Sequence, residues 1–396
     1  MHIAHILGRS SPEHGGPANE LPVQCRAQAK AGHWVTVRVL EGFPGTSPAI
    51  RMEAPIDWFA GKVQFPSKLG CSAELKRRLR LDASPDVYHL HGTWLRAMYY
   101  GAVEAKRRRR PYLLHLTGTY EPYSLKTKWF RKCIARCWFQ DRLLREAACL
   151  HVNSLQEGEN IRVLGFKTPI AIIPGGVDLE EITRRNPVLL SESPWRELKG
   201  RPFVLFLSRL HPKKGLDLLI RAWATIRKSE TGNRKSDDWM LVIAGTGAPE
   251  YVSECRQLAA QFGIANQCFW AGQVNEMQKS WLYTNAQCYI LPTSSENFGT
   301  TVVESLAYGT PVITTVHTPW ADLKKRNCGW VVDNTVDALC PALCEALKMD
   351  AVVRGDMGQA GQKLVHEAYS LESVLKSIEA VYKWVTGVGP EPGCIM

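Results

Sequence analysis

A pattern of short apolar strands separated by helix-like stretches runs through this chain twice, and it is the strongest constraint on the fold. In the first half, strands are predicted at residues 2–7, 33–40, 87–92, 111–118, 149–154 and 170–176. In the second half, strands are predicted at residues 203–210, 240–245, 268–274, 288–293, 310–315 and 330–333. Such alternation is typical of parallel sheets wrapped by helices. The sequence therefore predicts an α/β protein with two Rossmann-like, doubly wound sheets facing each other across a cleft.

A polar stretch containing two prolines, residues 184–201, interrupts the pattern between the two halves. Because prolines and polar residues punctuate regular structure, we place the domain boundary there. The N-terminal domain is expected to span residues 1–190 and the C-terminal domain residues 197–372. Segment 370–385 has the pattern of an amphipathic helix.

The net charge of +11 lies almost entirely in the first half. Residues 1–195 contain 28 Lys and Arg against 18 Asp and Glu, whereas residues 196–396 contain 21 against 20. This asymmetry indicates that the first half faces an anionic partner, for which nucleic acid, anionic lipid and a phosphorylated substrate are the alternatives. No nucleic-acid reader motif is present, so a nucleic-acid partner is not expected.

The 12 cysteines predict neither a zinc site nor a disulfide framework, since none of them forms a C-x-x-C pair. They are expected to be reduced thiols of a cytoplasmic protein. The sequence has no run of about 18 apolar residues, so no transmembrane helix is predicted. The first residues are interpreted as a strand entering a loop rather than as a signal peptide.

The most specific motif is residues 294–313, in which a loop follows a predicted strand and leads into a helix that starts near Thr300. The unpaired N–H groups of a helix N-terminus favour anions, and Gly299 allows a close backbone approach. Glu296 and Glu304 can accept hydrogen bonds from sugar and ribose hydroxyls. The alternative is that these acidic residues only stabilise the helix dipole.

A second motif places two cations, Arg209 and Lys214, directly after the predicted strand 203–210. Cations at a strand end can neutralise a leaving diphosphate. The alternative is an ordinary pair of surface cations.

Taken together, these motifs resemble the retaining glycosyltransferases of family four, which have the two-domain GT-B fold. The resemblance covers nearly the whole chain and is carried by runs in a fixed order. These are Gly15-Gly16, residues 89–94, Gly118, residues 153–154, residues 173–178, Arg209 with Lys214-Gly215, Glu296 to Glu304, and Gly309 to Pro311. It implies that residues 373–396 pack back on the N-terminal domain.

The resemblance also implies a role for each matching residue. Glu296 would hold the transferring hexose, Glu304 the ribose hydroxyls, and Arg209 and Lys214 the diphosphate. The backbone from Asn297 through Phe298 and Gly299 to Thr300 would meet the sugar and the phosphates. Gly15 and Gly16 would approach the diphosphate from the N-terminal domain, and Gly245 and Val274 would seat the nucleobase.

One position departs from the family pattern, because Thr117 stands where these enzymes often have a histidine beside the reacting sugar. His115 lies two residues earlier, and His91, at another strand end, is a further catalytic candidate. A packing or hydrogen-bonding role within the sheet is the alternative for His89, His91 and His115.

The sequence contains no D-x-D triplet of the kind that holds a nucleotide diphosphate through a metal ion. We therefore expect no metal and no other cofactor. Residues 126–146 are basic and carry four aromatic residues, so they predict either a helix at an anionic membrane surface or an ordinary basic helix with its aromatic side chains in the core.

The sequence thus predicts a retaining hexosyltransferase of cell-surface polysaccharide synthesis, peripheral at the inner membrane face. A UDP-sugar, UDP-glucose in particular, is favoured as donor over a GDP-sugar, and the acceptor is expected to be a saccharide or a polyisoprenyl-linked saccharide. The alternative is a protein of the same fold that binds a nucleotide-sugar without catalysis.

Overall fold

A computed structural model describes residues 1–11, 16–121, 124–125, 129–184, 194–229 and 239–396. The chain divides into two compact units, each with its own parallel sheet. Unit 1 comprises Met1–Gly176 and Leu371–Met396, and unit 2 comprises Val177–Ser370.

Unit 1 contains a seven-stranded parallel sheet of order β3-β2-β1-β4-β5-β6-β7. The strands are β1 (His2–Leu7), β2 (Trp34–Glu41), β3 (Asp57–Lys62), β4 (Val87–His91), β5 (Tyr112–His115), β6 (Cys149–Val152) and β7 (Ile170–Ile172). The helices before the crossover to unit 2 are α1 (Gly16–Lys30), α2 (Ala73–Leu81), α3 (Arg96–Arg107), α4 (Trp129–Ala135), α5 (Asp141–Glu146) and α6 (Leu155–Val163). A π-helical turn, Arg136–Gln140, joins α4 to α5.

Unit 2 contains a six-stranded parallel sheet of order β10-β9-β8-β11-β12-β13. Its strands are β8 (Phe203–Leu207), β9 (Met240–Ala244), β10 (Cys268–Gly272), β11 (Cys288–Leu291), β12 (Val312–Thr315) and β13 (Gly329–Val332). Its helices are α7 (Leu179–Arg184), α8 (Leu216–Ser229), α9 (Pro249–Gln261), α10 (Glu276–Asn285), α11 (Thr300–Ala307), α12 (Asp322–Lys325), α13 (Val336–Lys348) and α14 (Ala351–Leu364).

The prediction of two parallel α/β sheets is confirmed, and the physical reason is visible in the central strands. Strands β8 and β9 are buried along their whole length, as expected for strands covered by helices on both faces. The strand that the sequence did not predict, β3, lies at the edge of its sheet, and most of its residues are only half-buried. Its segment, DWFAGK, therefore lacks the aliphatic run that marks the inner strands.

The junction between the units lies earlier in the chain than the predicted boundary at residue 190. Val177 is buried in the core of unit 2, where Leu179 and Ile182 pack against the same cluster. The backbone N–H of Val177 donates to the carbonyl of Tyr369, 3.0 Å away. Residues 185–193, which include much of the polar stretch used for the prediction, lie outside the described residues.

The last helix, α15 (Leu371–Val385), belongs to unit 1 although it follows unit 2 in the chain. Its apolar side chains Val374, Ile378 and Val381 lie in one cluster with Ile3 of β1 and Val87 of β4. Among the described residues, no helix is both long enough and apolar enough to cross a membrane.

Candidate active site

The order of the unit 2 sheet reverses between β8 and β11, and in open parallel sheets this is where ligands bind, at the carboxyl ends of the strands. The loops that follow these two strands carry Lys214 and Glu296. Their side chains form an ion pair, and each side chain is 14% exposed. The structure therefore brings together two of the predicted catalytic residues.

Three cations surround the end of β8. Arg209 is exposed just after the strand, and Lys213 and Lys214 follow in a 3-10 turn, Pro212–Lys214. Burial lowers the pKa of His211, and the charges of Arg209, Lys213 and Lys214 lower it further. The contribution of these three charges indicates a positive potential at the strand end, which suits a diphosphate.

The turn between β11 and α11 is shaped by Gly299, which caps the helix at a φ of 83°. Glycine adopts this left-handed conformation without the steric cost of a Cβ atom. The indole N–H of Trp320 donates to the carbonyl of Phe298, and Phe298 is buried. Asn297 and Thr300 flank this fixed turn, so the predicted backbone contacts lie at one helix N-terminus.

Glu304 is held by two side chains of α10. Lys279 Nζ donates to one carboxylate oxygen over 2.8 Å, and the Tyr283 hydroxyl donates to the other over 3.0 Å. Burial lowers the pKa of Lys279, but the carboxylates of Glu304 and Glu276 outweigh it and leave this pKa raised. Lys279 is therefore charged at neutral pH, and it fixes the carboxylate predicted to bind ribose.

A cavity of about 450 Å³ lies at the ends of β9 and β10. Gly245, Thr246, Gly247 and Gly272 contribute backbone to its wall, and Trp270 contributes a ring. The guanidinium of Arg256 lies 4.6 Å from the centroid of the Trp270 ring. Gly245 thus lines a cavity of the size needed for a small planar group.

Two predicted residues of the donor site have a different outcome. Val274 is partly buried against the core of unit 2 and is not among the residues lining this cavity. Gly15 lies outside the described residues, and Gly16 is the exposed first residue of α1.

In unit 1, Thr117 follows β5 in the left-handed region at a φ of 52°, and Trp94 follows β4 at a φ of 67°. Non-glycine residues in this conformation are strained and cluster at functional sites. Glu157 accepts hydrogen bonds from the backbone N–H groups of Gly118 and Asn153, which fixes the loops after β5 and β6.

Comparison with known proteins follows the same division into two units. The family described as "Glycosyl transferase 4-like domain" matches residues 15–176, and "Glycosyl transferases group 1" matches residues 191–364. The chain thus contains one domain of each of these two glycosyltransferase families. The predicted resemblance to family four is therefore confirmed.

Curated relatives of this glycosyltransferase match over part of its length. The α-1,3/1,6-mannosyltransferase ALG2 of Dictyostelium discoideum is 29% identical over 47% of each chain. A GDP-mannose-dependent α-(1-6)-phosphatidylinositol monomannoside mannosyltransferase of Mycobacterium tuberculosis is 30% identical over 54% of this chain and 56% of its own. The chain thus spans about half the length of the curated relatives it matches.

Solved structures match over nearly the whole glycosyltransferase. Sucrose-phosphate synthase of Thermosynechococcus elongatus covers 98% of this chain and 100% of its own, with a TM-score of 0.76 at 17% identity. Anabaena HepE, solved with UDP-glucose, covers 97% and 100%, with a TM-score of 0.71 at 17% identity. At such identities the similarity shows the fold, which is GT-B.

A feature that the sequence did not predict in the glycosyltransferase is a buried layer of five histidines in unit 1. These residues are His5 of β1, His89 and His91 of β4, His115 of β5 and His151 of β6. The strand register pairs His5 with His89, His91 with His115, and His115 with His151, so all five lie on one face of the sheet.

Burial dominates the titration of this histidine layer. It lowers the pKa of His5 and of His151 to about 4. Burial and the neighbouring histidines hold the pKa of His89, His91 and His115 well below 6.5. All five rings are therefore neutral at neutral pH.

Proposed function

We propose that the protein transfers a hexose from a nucleotide-sugar to a saccharide or lipid-linked saccharide, with retention of the anomeric configuration. The observation that carries this proposal is the cluster at the switch point of unit 2. There a paired carboxylate and lysine, a positive strand end and a helix N-terminus adjoin a glycine-walled cavity. These groups can be matched one by one to the base, ribose, diphosphate and hexose of a nucleotide-sugar.

Each part of the donor has a proposed partner in unit 2. The cavity beside Trp270 takes the base, and the Glu304 carboxylate takes the ribose hydroxyls. Arg209, Lys214 and the N-terminus of α11 face the diphosphate. Glu296 takes hydroxyls of the hexose. Its carboxylate is paired with Lys214, and the lone pairs that this ion pair does not use can accept hydrogen bonds from those hydroxyls.

For the donor we favour a UDP-sugar, and UDP-glucose in particular. The structural neighbour HepE was solved with UDP-glucose, whereas a mycobacterial relative is named as GDP-mannose-dependent. The choice between the two bases is tested directly by the binding measurement that ends the Discussion.

The proposed reaction needs no covalent adduct with the protein. The acceptor hydroxyl attacks the anomeric carbon on the face from which the diphosphate leaves, so one C–O bond forms as another breaks. The hydroxyl proton passes to the leaving phosphate oxygen. Lys214 and Arg209 stabilise the charge that develops on the diphosphate, which is usually the largest single contribution to such catalysis.

We expect full activity in the presence of EDTA, because side-chain cations and a helix N-terminus provide the positive field at the diphosphate. The measurement is the initial rate of transfer or donor hydrolysis after dialysis against EDTA, with and without added Mg²⁺. A rate that falls on dialysis and recovers with Mg²⁺ would contradict the proposed metal independence.

The alternative function, donor binding without catalysis, is favoured by one observation. Thr117 has no ring to assist transfer, and it is held in a strained conformation beside Gly118. Slow hydrolysis of a UDP-sugar by the wild-type protein, absent from a Lys214→Met variant, would exclude this alternative. Donor binding with no turnover under any condition would support it.

We further propose that helix α4 and the π-helical turn contact an anionic membrane. Of the four aromatic residues predicted there, Phe139 is buried, whereas Trp129, Phe130 and Trp138 are 63%, 63% and 58% exposed. Together with Ile134 they form an exposed apolar stripe. An exposed apolar stripe on a helix of basic composition is the pattern of a helix lying in a membrane interface.

A second basic run, residues 106–110, is partly neutralised by ion pairs. Lys106 is paired with Glu146, and Arg107 and Arg108 are paired with Glu104. Glu104 and Glu146 thus offset two of the five positive charges of this run.

We expect the protein to sediment with vesicles containing anionic phospholipid at low salt, and the double variant Trp129→Ser/Trp138→Ser to bind at least tenfold more weakly, because burial of two indole rings is lost. Trp34→Ser is the matched control, since Trp34 is also exposed but lies at the start of β2. Equal sedimentation of the wild type and the double variant would contradict membrane contact by this helix.

A further inference from the structure

The hydrogen bonds of the histidine layer have a direction that can be read from one fixed acceptor. His151 Nε2 lies 2.9 Å from the carbonyl of Ile173, and a carbonyl can only accept, so Nε2 carries the proton. In a neutral ring, Nδ1 of His151 is then an acceptor. Its partner is His89 Nε2, at 3.3 Å, which must donate.

The same logic continues from His89 to helix α15. With its proton on Nε2, His89 has an unprotonated Nδ1, which lies 2.7 Å from the Tyr382 hydroxyl. Tyr382 therefore donates its single proton to His89. Its oxygen is left to accept from the amide Nε2 of Gln28, 3.5 Å away on α1.

The orientation of the Gln28 amide determines the direction of the remaining hydrogen bonds, those of His5 and His91. With Nε2 facing Tyr382, Gln28 Oε1 accepts from His5 Nε2 over 2.7 Å. His5 Nδ1 is then an acceptor for His91 Nε2, 2.9 Å away. His91 therefore carries its proton on Nε2, and its Nδ1 is unprotonated.

His115 of β5 is paired with His91 of β4, and a separate hydrogen bond also leaves its Nδ1 without a proton. Its Nε2 lies 2.9 Å from Asn153 Oδ1, an acceptor, so its Nδ1 is also unprotonated. Among the described residues, neither Nδ1 atom forms a hydrogen bond.

A metal ion shared by His89, His115 and His151 explains their arrangement less well than hydrogen bonding does. Ring nitrogens of His89, His115 and His151 lie within 4.8 Å of one another. However, the rings of His115 and His151 are stacked, with centroids 3.8 Å apart and planes inclined by 13°. Lone pairs in nearly parallel ring planes do not converge on one ion at the distance of about 2.1 Å that metal–imidazole bonds require.

We propose that this hydrogen-bond chain, which runs from Ile173 through Tyr382 and Gln28 to His91, and the separate bond between His115 and Asn153 hold Nδ1 of His91 and of His115 as a pair of hydrogen-bond acceptors. They would accept from hydroxyl groups of the acceptor saccharide. The proposal rests on the proposed glycosyltransferase function. His91 and His115 close strands β4 and β5 at the carboxyl edge of the unit 1 sheet, where ligands of such sheets bind. Gln28 and Tyr382 are positioning residues, because they act through the histidines.

The polarity of this edge selects the chemical class of its ligand. Two neutral acceptors favour groups that donate, such as hydroxyls, and offer nothing to a carboxylate or phosphate, which can only accept. The anionic part of a lipid-linked acceptor would therefore lie elsewhere, and its sugar would lie at His91 and His115.

The first test needs no variant. Long-range ¹H–¹⁵N spectra of ¹⁵N-histidine-labelled full-length protein at pH 7.5 report which ring nitrogen carries each proton. We expect the five histidines of the layer to be neutral and protonated on Nε2. A proton on Nδ1 of His91 would overturn the proposal.

The second test reverses the direction of hydrogen bonding at His91 by a substitution that does not touch His91 itself. In Gln28→Met, His5 loses the acceptor for Nε2, so we expect His5 and His91 to shift toward protonation on Nδ1. Removing an acceptor from the saccharide site should raise the acceptor KM about tenfold, while nucleotide binding in unit 2 is unchanged. Thr36→Val is the matched control. It removes another buried histidine contact of this sheet, between His2 Nε2 and Thr36 Oγ1, which is not part of the chain of hydrogen bonds.

The outcomes separate this inference from the proposed function. A changed tautomer with an unchanged acceptor KM, or an equal effect of Thr36→Val, would overturn the inference while donor turnover upholds the glycosyltransferase. If Gln28→Met does not fold, His5→Phe provides the second variant, since it keeps a ring but removes the acceptor for His91 Nε2 directly and is expected to raise the acceptor KM in the same way.

Discussion

Lowering the pH from 7.5 to 5 is expected to unfold unit 1 while unit 2 stays folded. An unfolded histidine takes up a proton below about pH 6.5, whereas His5 and His151 in the folded protein do so only near pH 4, because burial lowers their pKa. The unfolded state therefore binds more protons between these two values. Stability from these groups is fully present above about pH 7 and is lost as the pH falls toward 4.

The size of this effect follows from the shift in pKa. Each of the two groups removes roughly 2 kcal/mol of stability at pH 5 and roughly 3 kcal/mol at pH 4. His89, His91 and His115 shift in the same direction. His5 and His151 together thus remove roughly 4 kcal/mol at pH 5, a large part of the about 5–15 kcal/mol that stabilises an ordinary domain, and the other three histidines add to this loss.

The measurement is hydrogen exchange of the full chain at pH values from 7.5 to 5, with the urea midpoint followed in parallel. Unit 2 is the internal control, because the fully buried histidines of the described residues lie in unit 1, whereas His211 of unit 2, whose pKa is also lowered, is exposed. We expect strands β4 to β6 to lose protection first and the urea midpoint to fall steeply. A midpoint that is constant from pH 7.5 to 5, or earlier opening of β8 and β9, would contradict this account.

Replacing Lys214 by methionine is expected to lower kcat by about 10²–10³-fold, because a preorganised positive charge at the leaving diphosphate is lost. Methionine keeps most of the apolar stem, so the change is mainly electrostatic. Glu296→Gln, which removes the charge of the partner but keeps an acceptor oxygen, is expected to lower kcat by roughly 10²-fold.

A double-mutant cycle decides whether the two residues act as a pair. Since they share an ion pair, the effects of Lys214→Met and Glu296→Gln should be less than additive in the double variant. Lys199→Met, at an exposed position of unit 2, is the control and should leave kcat within about threefold. A Lys214→Met enzyme with wild-type kcat would remove Lys214 from the proposed mechanism.

The sheets could be predicted because their inner strands are continuous apolar runs, such as FVLFL of β8 and MLVIA of β9. Helices bury both faces of these strands, so every position along them is apolar. Edge strand β3 escaped prediction because an edge needs less burial and tolerates charge and glycine.

Residues of the donor site could be predicted where a motif fixes the backbone, as from Glu296 to Glu304. Lys279 and Tyr283 could not, because they reach Glu304 from the next helix back in the chain, and no local spacing links them. Trp270 and Arg256 meet beside the cavity for the same reason, as neighbours in space on β10 and α9.

The histidine layer shows the same limit in unit 1. The alternation in HLH of β4 places His89 and His91 on one face, but it does not reveal that β1, β5 and β6 each add a histidine to that face. Hydrogen bonds join His91 to His5, His89 to Tyr382 and His115 to Asn153. Their direction of donation depends on Ile173, Tyr382 and Gln28, which lie far apart in the sequence.

The most direct test of the central claim, a nucleotide-sugar site in unit 2, is calorimetric titration of the full chain with UDP and with GDP in the absence of metal. We predict that UDP binds more tightly and that Glu304→Ala weakens binding at least tenfold, because the ribose hydroxyls lose their carboxylate. Glu345→Ala, an exposed carboxylate on α13, should bind as the wild type does. Tighter binding of GDP would keep the site and change the donor, whereas binding of neither nucleotide, or binding indifferent to Glu304→Ala, would contradict the account.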